Sequence, residues 1–332
     1  MNPEEEVKDM EQIAVTRSIV ESKALAAVIA SDYALNGPIQ CQLISKMLRT
    51  QDNDHYLVTC GDKKYVARVY QLGTHLQRRE SDYLFELEWL LFLHERGIPV
   101  SYPLPRKDNE YLGFVHAPEG IRYYALFTFA YGKPMSATDE EQLYTLGAYM
   151  AQIHILSNDF KTGHHRHQMD LPFLVDKPIQ RLKAFWADKE EEKLDILITS
   201  AEDAKEQILE LLKNEESTED CWGPIGGDFH PYNTRFGQDG KPGFFNFDLC
   251  GFGWRAYDLA VVLLNAKLMK QSNDLTEALF AGYYSQRPLS HNEHAAIAPF
   301  LTIRRVWLTG TFSTVEGIAG YTFIAPAHLD LD

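Results

Sequence analysis

Asp228 and Asn233 stand in the order D-x-x-x-x-N within the segment GGDFHPYNTRF. At that spacing a single loop can present a carboxylate that accepts the proton of a substrate hydroxyl and an amide oxygen that binds magnesium, two groups that phosphoryl transfer uses. After the turn residues GQDGKPG comes a second polar cluster, in the stretch GFFNFDLCG at 243–251. Period-two alternation puts Asn246 and Asp248 on one face of a strand there, with the phenylalanines on the other. A short hairpin would then carry this polar face back toward the D-x-x-x-x-N loop, where it would supply the acid that holds the metal bridging the phosphates. The D-x-x-x-x-N spacing alone arises by chance. Together with the hairpin, the x-F-D element and the later AYDLA, it becomes specific.

Such a loop needs a scaffold, and 332 residues with 45% hydrophobic content are enough to bury a sizeable core in one or two domains. No stretch reaches the roughly 18 unbroken apolar residues of a membrane helix, and the start MNPEEEVKDM lacks the basic flank and apolar run of a signal peptide. The expectation is a cytoplasmic chain with no membrane contact. Cys41, Cys60, Cys221 and Cys250 are scattered without CxxC pairing, so neither a zinc ribbon nor a disulfide framework is indicated. A formal charge of −15 argues against a nucleic-acid surface, which needs basic patches, and tilts a small-molecule partner toward a cationic or neutral one. Oligomeric state is not legible.

The elements around the loop fall into two groups. Residues 8–34 mix charges with apolar positions at helical spacing (Ile13, Ile19, Val20, Leu25, Val28, Ile29), which predicts a leading amphipathic helix. QCQLISKML, HYLVTC and KYVARVY follow as strands, the last two joined at Gly61-Asp62. SDYLFELEWLLFLHERG then returns to helical spacing through Leu84, Leu87, Leu91 and Leu93, before the strands YLGFVHAP and YYALFTFAYG. From about residue 137 the pattern is mostly helical, interrupted by the strand-rich stretch 222–250. The fold class is α+β: residues 1–34 a leading helix, 35–131 a small lobe on an antiparallel sheet, and 132–332 a larger helical lobe.

With these elements in place, the chain resembles the aminoglycoside phosphotransferase and choline kinase family, whose motif reads HGDxHxxN, then IDF(D/E), then G-x-x-x-YDLA. The resemblance runs over roughly residues 35–310. RTQDNDHYLV, KYVARVY and LEWLLFLHERGIPV place it nearest the homoserine kinase-like and bacterial stress-response kinase branch. It implies a bilobal protein-kinase-like fold and an ATP- and Mg2+-dependent transfer of the γ-phosphoryl group to a small-molecule hydroxyl, such as an amino alcohol, homoserine or an aminoglycoside. Carried over by position, Asp228 is the catalytic base, and Asn233, Asn246 and Asp248 are the metal positions. Arg68 and Glu86 form the phosphate-binding ion pair, with Glu88 close enough in sequence to compete. Asn53 belongs to a loop, RTQDND, that covers the phosphates, and the hinge from Phe127 through Phe129 to Ala130 offers backbone groups to adenine. Only nine residues separate Asp248 from Asp258, too few for a long regulatory activation loop.

Two positions depart from the family. Gly226 replaces the histidine of HGD, and Asn246 stands where the principal metal-binding aspartate is expected. A neutral amide oxygen serves magnesium less well than a carboxylate. A pseudokinase, a deliberate trapping substitution and a working enzyme in which Asp248 takes over the metal are therefore all open, as is a protein Ser/Thr kinase of the stress-response type. Elsewhere the plainer readings hold. Asp258 anchors the D-x-x-x-x-N loop or caps a helix, Cys250 packs, and the HHRH run at 164–167 is a solvated loop, since consecutive histidines do not converge easily on one ion.

Overall fold

The structure is a computed structural model and describes residues 15, 17–45, 53–72, 78–136, 138–185, 192–213, 220–268 and 273–313. The small lobe opens with α1 (Ser22–Asp32) and β1 (Ile39–Leu43), followed by β2 (Asp54–Cys60) and β3 (Lys63–Val69). After α2 (Glu80–Glu95) come β4 (Gly113–Ala117) and β5 (Gly120–Thr128). The five strands form one antiparallel sheet in the order β1-β2-β3-β5-β4. The Gly61-Asp62 turn pairs Cys60 with Lys63, as the sequence predicts, and Gly61 takes the left-handed conformation such a turn requires (φ 58°).

Alternation along β3 divides the two faces of the sheet. Tyr65, Ala67 and Val69 pack with Tyr56, Val58, Tyr124 and Leu126 against Leu25, Ile29 and Tyr33 of α1 and its end. Val66 and Arg68 face the opposite way, into a cleft beneath the sheet. The leading helix is shorter than its sequence pattern. Residues 17–21 are not helical, because their backbone is engaged elsewhere: Arg122 Nη1 donates to the Ser18 carbonyl (2.8 Å) and the Tyr56 hydroxyl to the Val20 carbonyl (2.6 Å). Ile13 lies outside the described residues.

Helix α2 is buried over a wider arc than its leucine spacing implies, with Tyr83, Phe85, Trp89 and Leu90 all enclosed. It is wedged between the sheet and the large lobe. Phe85 meets Phe160 and Phe252 (ring centroids 5.5 and 5.3 Å), and Trp89 Nε1 donates to Ser157 Oγ (3.0 Å).

The large lobe is built on α3 (Glu140–Ser157), α4 (Lys177–Phe185), α5 (Glu192–Leu212), α6 (Arg255–Leu268), α7 (Asn273–Tyr284) and α8 (His291–Ser313). α3 lies against α7, and α8 is the common partner of α4, α5 and α6. Two three-stranded sheets hold its loops. One orders β10 (Pro242–Phe244), β9 (Thr234–Phe236) and β6 (Lys133–Pro134); the other orders β7 (Gln168–Met169), β11 (Gly251–Trp254) and β8 (Trp222–Ile225).

The stretch GFFNFDLCG corrects its sequence reading. The strand ends at Phe244, residues 245–250 form an irregular turn, and Asn246 adopts φ 67°. Asparagine tolerates that left-handed conformation better than most residues. Phe244 and Phe247, three apart, both enter the core around Phe229. Burial at that interval breaks the two-residue alternation, so a strand face does not pair Asn246 with Asp248, and of the two only Asn246 lines the cleft.

Candidate active site

Asp228 and Asn233 lie on the connection between β8 and β9, whose last turn is a 3-10 turn over Pro231–Asn233. The glycines before them make its path possible. Gly227 has φ 73°, and a Cβ on Gly226 would lie 2.4 Å from the Phe229 ring. Phe229 thus fills the space next to the position where the family places histidine. Asp258, fully buried in the first turn of α6, accepts the amides of Gly226 (2.9 Å) and Gly227 (2.7 Å), and is 3.1 Å from His154 Nε2. The anchoring role expected of Asp258 is what the structure shows. Burial pushes its carboxyl up to about 7, against the pull of the two amides. We expect Asp258→Ala, which leaves both amides buried and unpaired, to cost about 2 kcal/mol of stability in a urea melt.

The Asp228 carboxylate receives Arg304 from α8 at one oxygen, while His230 Nε2 lies 3.3 Å from the other. Burial raises its pKa, but His230 and Arg304 outweigh burial and hold it at about 2. The side chain is ionised throughout the physiological range. Asn233 Nδ2 donates to the Asp228 carbonyl (3.2 Å), and Asn233 Oδ1 accepts from Asn246 Nδ2 (3.3 Å). Asn246 Oδ1 in turn faces Arg68 Nη2 at 3.5 Å.

Arg68 is held from three sides. Nη1 pairs with Glu86 Oε1 at 2.5 Å, Nε donates to His55 Nε2 at 3.3 Å, and Nη2 faces Asn246. Glu86, fully buried on α2, is therefore the ion-pair partner, while Glu88 turns to Thr162 and His164. Burial, with Arg68 adding to it, pushes His55 down to about 4, so its Nε2 is an unprotonated acceptor at neutral pH.

His55, Arg68, Asn233 and Asn246 face a cleft of about 290 Å³ whose lining also includes Val66, Phe127, Phe129 and Ala130, while Asp228 borders a small adjoining pocket that shares Asn233 and Asn246 with it. Asn53 and Asp248 are not among the lining residues. The Asn53 amide carbonyl accepts the Gln71 amide (3.0 Å) and its Nδ2 donates to Asp248 Oδ2 (2.9 Å). Arg78 is 3.9 Å from the same carboxylate oxygen. Residues 49–52 of the expected phosphate-covering loop lie outside the described residues, and its last residue, Asp54, begins β2. Among the described residues no cluster of three or more His, Cys, Asp or Glu side chains is arranged to hold a metal, and no helix is long and apolar enough to cross a membrane.

Sequence reasoning missed four residues here. His55 had a signal, because counting outward from the Gly61-Asp62 turn makes it the cross-strand neighbour of Arg68. Arg304 had none, being 76 positions from Asp228. Arg78 and Arg166 were not legible either. Both donate to the Asp248 carbonyl, and Arg166 is buried, which corrects the solvated-loop reading of HHRH at that position.

A curled antiparallel lobe over a helical lobe, with an ionised aspartate and an arginine–glutamate pair at their junction, is the architecture of a protein-kinase-like phosphotransferase. Residues 45–300 match the phosphotransferase enzyme family APH, and the chain belongs to that family. It is 28% identical over 271 residues to the homoserine kinase of Brucella ovis, an alignment spanning 78% of this chain and 77% of that one. Among solved structures, a microcompartment-associated aminopropanol kinase superposes with TM-score 0.74 at 19% identity, covering 92% of this chain and 94% of the other. The amicoumacin kinase hAmiN, in complex with AMP-PNP, Ca2+ and Ami, superposes with TM-score 0.72 at 17% identity over 93% and 92% of the two chains.

Proposed function

We propose that this protein is an ATP-dependent kinase that transfers the γ-phosphoryl group to a hydroxyl of a small molecule. The observation that carries the reading is Asp228: an ionised carboxylate fixed by Arg304 and His230, beside an asparagine that also bonds across to Asn246 in the cleft. Phosphoryl transfer asks for little covalent chemistry, so orientation and charge placement suffice. With its pKa at about 2, Asp228 is a weak base. Its work is to accept the hydrogen bond of the incoming hydroxyl and aim the oxygen, and to take the proton as the new P–O bond forms and the γ-phosphorus bond to the departing ADP breaks.

Arg68, oriented by Glu86 and His55, would meet phosphate oxygens. Phe127, Phe129 and Ala130 would offer an apolar wall and hinge backbone to adenine, and Asn53 would act through Asp248. The oxygen donors Asn233, Asn246 and Asp248 fit a hard divalent cation such as Mg2+, and they fit one carried in on nucleotide phosphates better than a resident ion, because the two facing the cleft are neutral amides. Asn233, Asn246 and Asp248 would hold such an ion, and its positive charge would offset the negative charge of the phosphates. The homoserine, aminopropanol and amicoumacin kinases among the similar proteins are named for amine-bearing alcohols, and together with the charge of −15 they favour an amino alcohol as acceptor.

The test is ADP release from ATP with Mg2+ over a panel of amino alcohols, aminoglycosides and neutral sugars, alongside thermal melts with ATP. We expect ATP to raise Tm, more so with Mg2+, and at least one amino alcohol to accept phosphate. ATP stabilisation indifferent to Mg2+, with no acceptor turned over, would mark a pseudokinase instead.

A further inference from the structure

Arg166 is 3% exposed and spends three guanidinium nitrogens on three backbone carbonyls: Nε on Cys250 (2.6 Å), Nη1 on Asp82 (2.6 Å) and Nη2 on Asp248 (2.5 Å). These carbonyls belong to two separate pieces of the site. Asp82 lies one turn before Glu86 on α2, and in an α-helix its carbonyl is the acceptor for the Glu86 amide itself. Asp248 and Cys250 belong to the turn that carries Asn246.

The residues around Arg166 grip α2 as well. On one side of Glu86, the His165 amide donates to Ser81 Oγ (2.7 Å) and His165 Nδ1 lies 3.2 Å from Asp82 Oδ1. On the other side, Thr162 Oγ1 donates to Glu88 Oε2 (2.5 Å) and His164 Nε2 lies 3.3 Å from Glu88 Oε1. A slide or rotation of α2 would have to break these contacts, and it would draw Glu86, and Arg68 with it, away from Asn246.

We propose that residues 162–166 are a strap that holds α2 and the 246–250 turn in fixed register, with Arg166 as a positioning residue acting through Glu86 and Asn246. The proposal deepens the kinase reading, and its activity arm rests on that reading; its structural arm does not. Only a guanidinium can serve here, because its donors form a rigid planar fork, whereas a lysine offers a single nitrogen. Loss of two of three charged hydrogen bonds leaves carbonyls of both pieces without their common donor.

The experiment is hydrogen exchange on the full chain for wild type, Arg166→Lys and the double variant His164→Ala/His165→Ala, with steady-state kinetics on the same preparations. The histidine variant removes exposed or half-exposed side chains, so it keeps the test alive if Arg166→Lys does not fold. We expect peptides from α2 and from 246–252 to lose protection together, by about tenfold or more, while α5 and α8 keep theirs. We also expect kcat to fall roughly 10- to 100-fold with the acceptor KM unchanged, the pattern of misplaced phosphate-binding groups and not of a lost acceptor site. Loosening confined to 160–170, with α2 and 246–252 as protected as in wild type, would overturn the strap. A chain that turns over no alcohol yet shows the paired loosening overturns the kinase reading and leaves the strap supported.

Discussion

Asp228→Asn is expected to lower kcat by about 10²- to 10⁴-fold while the fold survives. The substitution keeps the shape of the side chain and removes its charge. The amide can still accept from Arg304 at one oxygen, but it turns an NH2 toward His230 and cannot take a proton from the incoming hydroxyl. The measurement is single-turnover transfer with saturating ATP and acceptor. A loss under threefold would sink the assignment of Asp228. The pKa of about 2 adds a second check. Asp228 stays ionised far below neutrality, so the rate of the wild type should show no limb from this group between pH 5 and 8. A carboxylate whose folded pKa is depressed adds stability that is fully present above the ordinary value near 4 and is lost as pH falls toward 2. Acid melts of wild type and Asp228→Asn should therefore converge in that window.

Asn246→Asp is expected to act in the opposite direction, tightening divalent-dependent nucleotide binding by roughly 10- to 100-fold and raising turnover with it. The new carboxylate would sit where the amide oxygen now faces Arg68 Nη2 at 3.5 Å, adding one charged oxygen to a cleft lined at this point by two amides. The left-handed backbone at 246 does not forbid the change, since aspartate also tolerates it. Calorimetric titration of ADP with and without Mg2+ reads the effect independently of any acceptor. Equal affinities for the two proteins in both buffers would mean that position 246 does not limit metal use.

Local signals made much of this molecule readable. Hairpin turn chemistry gave the register of β2 and β3, alternation turned Arg68 into the cleft, and the helical segment before Gly97 correctly carried Glu86. The motif spacing groups Asp228, Asn233 and Asn246, and in the structure all three border one small pocket, of which Asn233 and Asn246 also line the cleft. Failures came where tertiary contacts decide. Phe244, which alternation would set on the same face as Asn246 and Asp248, is drawn into the core beside Phe229 and the strand ends there, which breaks the period-two pattern on which the pairing of Asn246 with Asp248 rested. Arg166 sits in a run of charged and aromatic side chains that reads as solvent-facing, yet three distant carbonyls bury it. Residues 17–21 carry helical periodicity, but Arg122 and Tyr56 claim their carbonyls.

The position of Arg304 on the last described helix bears on how the site comes into being during synthesis. A nascent chain can close the five-stranded sheet over α1 once residue 128 has emerged, and the loop bearing Asp228 can form a hundred residues later. The carboxylate then waits with His230 and Asn233 beside it until α8 leaves the ribosome and brings the Arg304 guanidinium. Domains tend to fold in the order they are made, so competence for chemistry would be among the last properties the chain acquires, and a product truncated before residue 304 would carry every motif that reads as a kinase while lacking the group that fixes its central aspartate.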